Sequence, residues 1–404
     1  MSLLLYIWVC ITVVALAVWM SRHLQISRAT RLLPPIHAGM HADNNSELPA
    51  LTVLVAAKDE EDNIEACLQS LLEQDYPELQ VVAINDRSSD RTAEIIDRLA
   101  EGDDRLTAVH VHELRDGWFG KNNAMREGMA SAGGEWLCFT DADCCYTSPR
   151  ALTVAMRYAL ENGSDFLSVL PTHQTDSFWE RVIQPACSGI LMIWFNPLKV
   201  NDEASSAAYA NGAFMLMNRS CYDRIGGHEP VKAEVNEDMH MARLTKGAGL
   251  RLRVVTNENL YQVRMYATLP QIWAGWTRIF YGCFGTLRKL FLSMLAVATF
   301  GLLPWVAFFV AACALTVGAE PHSLWLTLSV AAAVTCLAEA SVMVRFYALS
   351  QSGSLYGLMY PLGAIVGLGV LANAMRRVGG RKSVTWRGTT YRGETVTSGD
   401  GAES

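Results

Sequence analysis

The ten cysteines contain no Cys-x-x-Cys pair and no Cys-x2-Cys/His-x3-His spacing, which argues against a structural zinc site. Cys144 and Cys145 are adjacent and cannot readily bridge each other, so free thiols in a reducing cytosol are expected. A basic charge balance is also missing: 33 Lys and Arg against 40 Asp and Glu leave a formal net charge of −7. A general nucleic-acid binder needs a basic field to gather phosphates, so that class is set aside. No basic start precedes the first apolar run, Leu3 to Met20; the basic residues follow it, at Arg22, His23, Arg28 and Arg31. That order argues against a cleaved signal peptide and for a signal-anchor. It places the N-terminus outside and the next domain in the cytosol.

Apolar residues are what the chain has in excess: 51% of the total, with a mean hydropathy of +0.16. They concentrate at the two ends, which describes a membrane protein with a polar middle. The expected organisation is an N-terminal transmembrane anchor over 1–21, a basic and polar linker over 22–49, an α/β domain in two halves (50–146 and 147–268), and an amphipathic interfacial helix at 269–290. Three hydrophobic membrane segments within 291–375 and a basic, then polar, cytosolic tail over 376–404 complete it. In the interfacial segment Trp273, Trp276 and Phe280 stand beside Arg278, Arg288 and Lys289, a composition suited to the headgroup region. Four full crossings would leave the tail outside, yet Arg376, Arg377, Arg381, Lys382 and Arg387 belong inside. Pro361, Gly363, Gly367 and Gly369 therefore suggest a re-entrant hairpin for the last segment. Glu339 is expected to pair with Arg345 or to snorkel.

Between Leu51 and Thr140 apolar runs alternate with helical periodicity. Strands are expected at 51–57, 80–84, 106–111 and 136–140, with helices between them. Such alternation with short connections gives a parallel, doubly wound sheet, and ligands of these sheets sit beyond the carboxyl ends of the strands. The strand Trp136–Thr140 runs into Asp141-Ala142-Asp143. Two carboxylates one residue apart can hold a hard divalent cation and leave positions open for phosphate oxygens. The first strand ends in Ala56-Ala57-Lys58-Asp59-Glu60-Glu61, whose small residues let a flat base approach the backbone. The second ends at Asn85-Asp86-Arg87, where Asp86 can accept the N3–H of a pyrimidine; Asp90 reads as a helix cap. Gly120-Lys121 opens a helix with bare N–H groups and a cation, a setting for a diphosphate. Asn236-Glu237-Asp238 opens another helix after Gly226-Gly227-His228. Asp238 is the candidate general base, although an acidic first turn also suits the helix dipole by itself.

Taken in order, these segments resemble the membrane-associated family 2 glycosyltransferases with a GT-A fold, over roughly Leu51 to Tyr266. The nearest branch is that of ceramide glucosyltransferases and bacterial carotenoid- and hopanoid-associated glycosyltransferases; Trp386-Arg387-Gly388 with Tyr391 is similar to a tail motif there. The resemblance implies that 50–146 binds a nucleotide sugar, of the UDP class, and that 147–268 binds the acceptor, a lipid or isoprenoid hydroxyl. It implies that Ala56, Lys58, Glu60 and Asp86 surround the nucleoside, with Lys121 and Arg264 toward the diphosphate. Asp143 would be the main ligand of Mg2+ or Mn2+, with Asp141 close to the ribose or the metal. Asp238 would deprotonate the acceptor, with inversion at the anomeric carbon. The family usually has Pro, Arg and Asn where Ala56, Lys58 and Asp59 stand. Its Gln-x-x-Arg-Trp element is replaced by Gln262-Val-Arg264-Met-Tyr266, which argues for single transfer over processive synthesis. Two alternatives stay open: a polysaccharide synthase, and a sugar-nucleotide-binding membrane protein with a dead site. The presence of Asp141, Asp143 and Asp238 argues against the second.

Overall fold

In a computed structural model the chain is described over residues 2–41 and 46–379, with the backbone of short strands at Val384–Trp386, Thr389–Arg392 and Thr395–Ser398. Arg381, Lys382, Arg387 and Gly388, and with them part of the expected tail motif, lie outside the described residues. The chain forms two compact units: one from Met1–Leu32, His173–Trp194 and Tyr266–Gly380, the other from Leu33–Thr172, Phe195–Met265 and Arg381–Ser404.

The second unit is the α/β unit. Its strands in chain order are β1 (Ile36–His37), β2 (Leu51–Ala57), β3 (Leu79–Asp86), β4 (Leu106–Val111), β5 (Trp136–Asp141), β6 (Cys144–Tyr146), β7 (Phe166–Leu170), β8 (Thr172–His173, at the unit boundary), β9 (Met215–Asn218), β10 (Leu252–Glu258) and β11 (Tyr261–Val263). Eight of them make one sheet in the order β1-β10-β7-β9-β5-β2-β3-β4. All neighbours are parallel except β9, which runs antiparallel between β5 and β7. This is the mostly parallel sheet expected from the alternation. Val53, Leu54 and Val55 are all fully buried, because helices cover both faces and a central parallel strand has no solvent side. The helix Ile64–Leu72 buries Ile64, Cys67, Leu68 and Leu71, one apolar stripe.

Two local readings change. The apolar stretch 209–217 is long enough for one strand, but β9 starts only at Met215. Asn211 makes a turn there, its side chain accepting from Ala213 N at 2.9 Å and its carbonyl from Phe214 N at 3.2 Å. The stretch expected as a basic and polar linker over 22–49 contributes fully buried Ile36 and the edge pairing of β1 with β10.

The first unit is helical. Four of its segments are long and apolar enough to cross a membrane: Ser2–Leu32, Leu287–Thr316, His322–Leu349 and Ser354–Val378. The first helix outruns its apolar core and continues through Leu32. The aromatic segment forms the helix Leu269–Phe284, closed by Gly285 in the left-handed conformation (φ 62°), and buries Trp276 and Phe280. The last segment is no re-entrant hairpin: Tyr360–Gly379 is one continuous helix. Its glycines serve close approach, a Cβ on Gly363 falling 2.8 Å from the Val182 carbonyl oxygen. Pairing of Glu339 with Arg345 is also corrected. Arg345 donates to Ser27 Oγ at 2.7 Å, while Glu339 lies in the helical interior at 1% exposure, so it does not snorkel.

Candidate active site

Register brings the expected residues to one sheet edge. Ala56 of β2 lies opposite Ile84 of β3 on one side and Asp141 of β5 on the other. The chain then leaves the sheet through Lys58, Asp59 and Glu60, and through Arg87 beyond β3. Asp59 and Arg87 are both left-handed, at φ 52° and 54°, a conformation that costs a non-glycine residue energy. Neighbours hold both: Asp59 Oδ1 accepts from Ser89 N at 2.8 Å, and Lys58 Nζ donates to the Asp86 and Arg87 carbonyls at 3.3 and 3.2 Å. The N-cap of the following helix is Arg91 and not the expected Asp90, which stands one residue earlier and accepts from Thr92 N at 3.0 Å. Asp86 is buried, and both its oxygens accept from Arg87, at 2.8 and 3.0 Å. A carboxylate has acceptor capacity beyond two hydrogen bonds, so this pair can still take an N–H.

Lys121 stands on the first turn of the helix Gly120–Gly128. Its ammonium lies 2.6 Å from Asp141 Oδ1 and 2.7 Å from Glu237 Oε1. Burial, which by itself favours the neutral amine, is outweighed by these two carboxylates, so Lys121 stays protonated with its pKa raised. Glu237 opens the helix Glu237–Gly247, and Asp238 follows it. Asp238 accepts from Gly212 N at 3.0 Å and from Met239 N at 2.7 Å. Its pKa is pushed up to about 7, by burial and then by Glu237, with Lys121 opposing.

Gly212 is small for a spatial reason. A Cβ there would sit 3.0 Å from Lys121 Nζ, 3.5 Å from Glu237 Oε1 and 3.7 Å from Asp238 Oδ2. Asp238 and the 141–143 turn, distant in sequence, thus meet around one lysine.

Asp143 sits in the turn between β5 and β6. Its Oδ1 is shut off from solvent with no hydrogen-bond partner among the described residues. Burial, then the charges of Asp141 and Glu60, push its pKa up to about 7. Among the described residues no three His, Cys, Asp or Glu side chains are grouped to hold an ion. Two carboxylates, one with an orphaned oxygen, still fit a hard cation that takes one or two protein ligands and fills its other positions with phosphate and water. Arg264 is exposed. Its neighbour Val263 pairs with Cys144, so Arg264 follows the ladder toward Asp143. Glu60 Oε2 accepts from Asn63 at 2.8 Å.

The sequence reading gave no role to several residues that build this arrangement. Glu237 was legible only as a neighbour of Asp238, and Gly212 only as part of an Asn-Gly pair. Asn122, fully buried, donates to the carbonyls of Val231 at 2.7 Å, Lys232 at 3.3 Å and Glu234 at 2.9 Å. It ties the helix of Lys121 to the segment leading into Glu237. His228 is buried with Nδ1 2.8 Å from Tyr222 OH and edge-on to Phe139 of β5. Burial, then Lys121, hold its pKa down near 3, so the imidazole is neutral. Gly227 permits this packing: it is left-handed, and a Cβ would fall 2.9 Å from the Tyr222 ring.

Residues 52–226 match the family described as Glycosyl transferase family 2. The chain is 28% identical over 232 residues to the 4,4'-diaponeurosporenoate glycosyltransferase of Staphylococcus aureus strain USA300, an alignment covering 57% of this chain and 60% of that protein. The same enzyme from strain MRSA252 is 27% identical over the same coverage. The chain thus spans about 60% of the length of these curated relatives. Among solved structures, the mannosyltransferase PcManGT from Pyrobaculum calidifontis, in complex with GDP-Man and Mn2+, superposes with a TM-score of 0.53 at 20% identity, over 82% of this chain and 98% of that one. The strand order and the matched segment agree: residues 52–226 are similar to glycosyl transferase family 2, and the fold is of the GT-A type.

Proposed function

We propose that this protein is an inverting, metal-dependent glycosyltransferase that moves one sugar from a nucleotide-sugar donor to a lipid or isoprenoid acceptor at the membrane. The observation that carries the reading is the Lys121 ammonium between Asp141 and Glu237, the residue before Asp238. It supports donor and base functions in one cleft. The nucleoside would lie along the carboxyl ends of β2 and β3, between Ala56, Lys58 and Glu60 and the Asp86–Arg87 pair, with a UDP-type donor as the first choice. Asp143 and Asp141 would hold Mg2+ or Mn2+. When bound, such an ion neutralises charge on the departing diphosphate. Lys121 and Arg264 would add to that stabilisation from the protein. Asp238 would take the acceptor proton, and its raised pKa makes it a stronger base than an ordinary carboxylate at neutral pH.

The named substrate of the Staphylococcus relatives supports an isoprenoid-type acceptor, and the four apolar helices support placement in the membrane. The basic residues after Leu3–Met20 support a cytosolic α/β unit.

The test is Asp238→Asn. Membranes incubated with radiolabelled sugar nucleotides, followed by lipid extraction, should show transfer by the wild type and a loss of about 100-fold or more in the variant. Donor affinity should be kept. Near-normal turnover in the variant would remove Asp238 as the base.

A further inference from the structure

We propose that Lys121 is the resident cation of the acidic cleft: it holds the metal's place on Asp141 until the ion binds, then withdraws to Glu237, its second anchor. The inference deepens the proposed function and rests on its assignment of Asp141 and Asp143 as the metal pair. A cation on the Asp141 carboxylate would have to share it with Lys121, whose ammonium already lies 2.6 Å from Oδ1. A hard divalent ion sits about 2.0–2.2 Å from its carboxylate oxygens. An ammonium and a metal ion at contact with the same oxygen would repel strongly, so one must leave.

The exit is built. Glu237 Oε1 is 2.7 Å from the same ammonium and is itself almost wholly buried. It can retain Lys121 after Asp141 is taken. The missing side chain at Gly212 leaves the room, since a Cβ there would already be 3.0 Å from Nζ. The charge pattern gives the exchange its purpose. Asp141, Asp143, Glu237 and Asp238 crowd one cleft, and Lys121 acts on both Asp143 and Asp238. Without a cation of its own, the empty site would hold unscreened carboxylates. With Lys121 in place, part of that charge is offset at Asp141 and Glu237 before the metal and the diphosphate arrive, and the freed lysine stays within reach of the diphosphate. Glu237 is then a positioning residue that acts through Lys121.

The test is a direct Mn2+ titration of the purified, detergent-solubilised full chain, without nucleotide, read by electron paramagnetic resonance. Lys121→Met keeps the aliphatic stem and removes the competitor. It should bind Mn2+ about tenfold tighter than the wild type or better, while its affinity for a nucleoside diphosphate falls. Glu237→Gln strips the second anchor, leaves the ammonium on Asp141, and should bind Mn2+ more weakly. The decisive measurement is the cycle of the two substitutions. If Glu237 acts through Lys121, the effect of Glu237→Gln disappears in the Lys121→Met background. If Glu237 contributes only its charge, the effect persists there, and the proposal is overturned. Unchanged or weaker Mn2+ binding by Lys121→Met also overturns it, with Lys121→Gln as the second variant should the first fail to fold. If the wild type and every variant fail to bind Mn2+, the metal reading of the function falls first, and the placeholder role with it.

Discussion

Asp238 combines two properties that a single measurement can separate. Its pKa is raised from the ordinary carboxylate value to about 7, so at pH 6 most of the free protein carries it protonated and unable to act as the proposed base. The acid limb of kcat/KM is therefore expected to bend near pH 7, rising tenfold per pH unit below that point. The stability of the empty protein should move in the opposite sense. A carboxyl that ionises near 4 in the unfolded chain and near 7 in the folded one binds its proton more tightly when folded. Its contribution to stability is fully present below pH 4 and is lost as the pH rises through 7. Thermal melts of Asp238→Asn against wild type, between pH 5 and pH 8, check this: the wild type should lose stability relative to the variant as the pH rises. His228, neutral in the folded protein but protonated in the unfolded chain below its ordinary value of 6.5, adds a slope of the opposite sign there, which is common to both proteins and cancels in the comparison. Its requirement is a hydrogen-bond partner: Tyr222→Phe leaves the buried Nδ1 unpaired, and should cost roughly 1–3 kcal/mol in a denaturant titration.

At the scale of elements, the cleft depends on the helix Gly120–Gly128 being held to the chain segment before Asp238. Asn122 makes that connection through three carbonyls. Asn122→Ala should lower stability by roughly 1–3 kcal/mol. It should reduce transfer more than donor binding, because Lys121 and Glu237 would lose their common support; kcat and the donor Kd measured together check the split. The parallel strands and their acidic ends were legible in the sequence, since buried strands are apolar runs and their carboxyl ends must share an edge. Asp141 and Asp143 could be named on that ground, Lys121 and Asp238 from the helix starts they stand on. The Lys121–Glu237 contact could not. It depends on a glycine at 212 leaving space and on Asn122 fixing the 231–234 segment, and neither has a periodic signature. The shortened β9 was missed for a related reason: Tyr209 to Met217 is apolar enough for a strand, but the Asn211 turn redirects its first half.

At the scale of the molecule, the first helix does more than an anchor requires. Any 18-residue apolar run satisfies the anchoring role, yet Ser2–Leu32 is tied to residues some three hundred positions later in the chain. Trp19 Nε1 donates to the Phe300 carbonyl at 2.9 Å, Thr335 Oγ1 to the Thr12 carbonyl at 3.3 Å, and Arg345 to Ser27 Oγ at 2.7 Å. Leu5 is buried in a cluster with Ala307, Ala311, Leu328 and Ala332, whose alanines are small enough to let helices approach closely. The first two of these ties are shielded between helices, where water competes poorly, and they stay satisfied only while both partners are present. A chain lacking residues 2–32 would keep three apolar helices and would still enter the membrane, but with Phe300 O stripped of its donor and the alanine face exposed. We expect such a truncation to be retained by membranes after alkaline carbonate washing and yet to elute as aggregate in detergent gel filtration. Co-expressing residues 1–32 as a separate peptide should restore the monodisperse peak, whereas a monodisperse truncated chain without the peptide would reduce the first helix to an anchor.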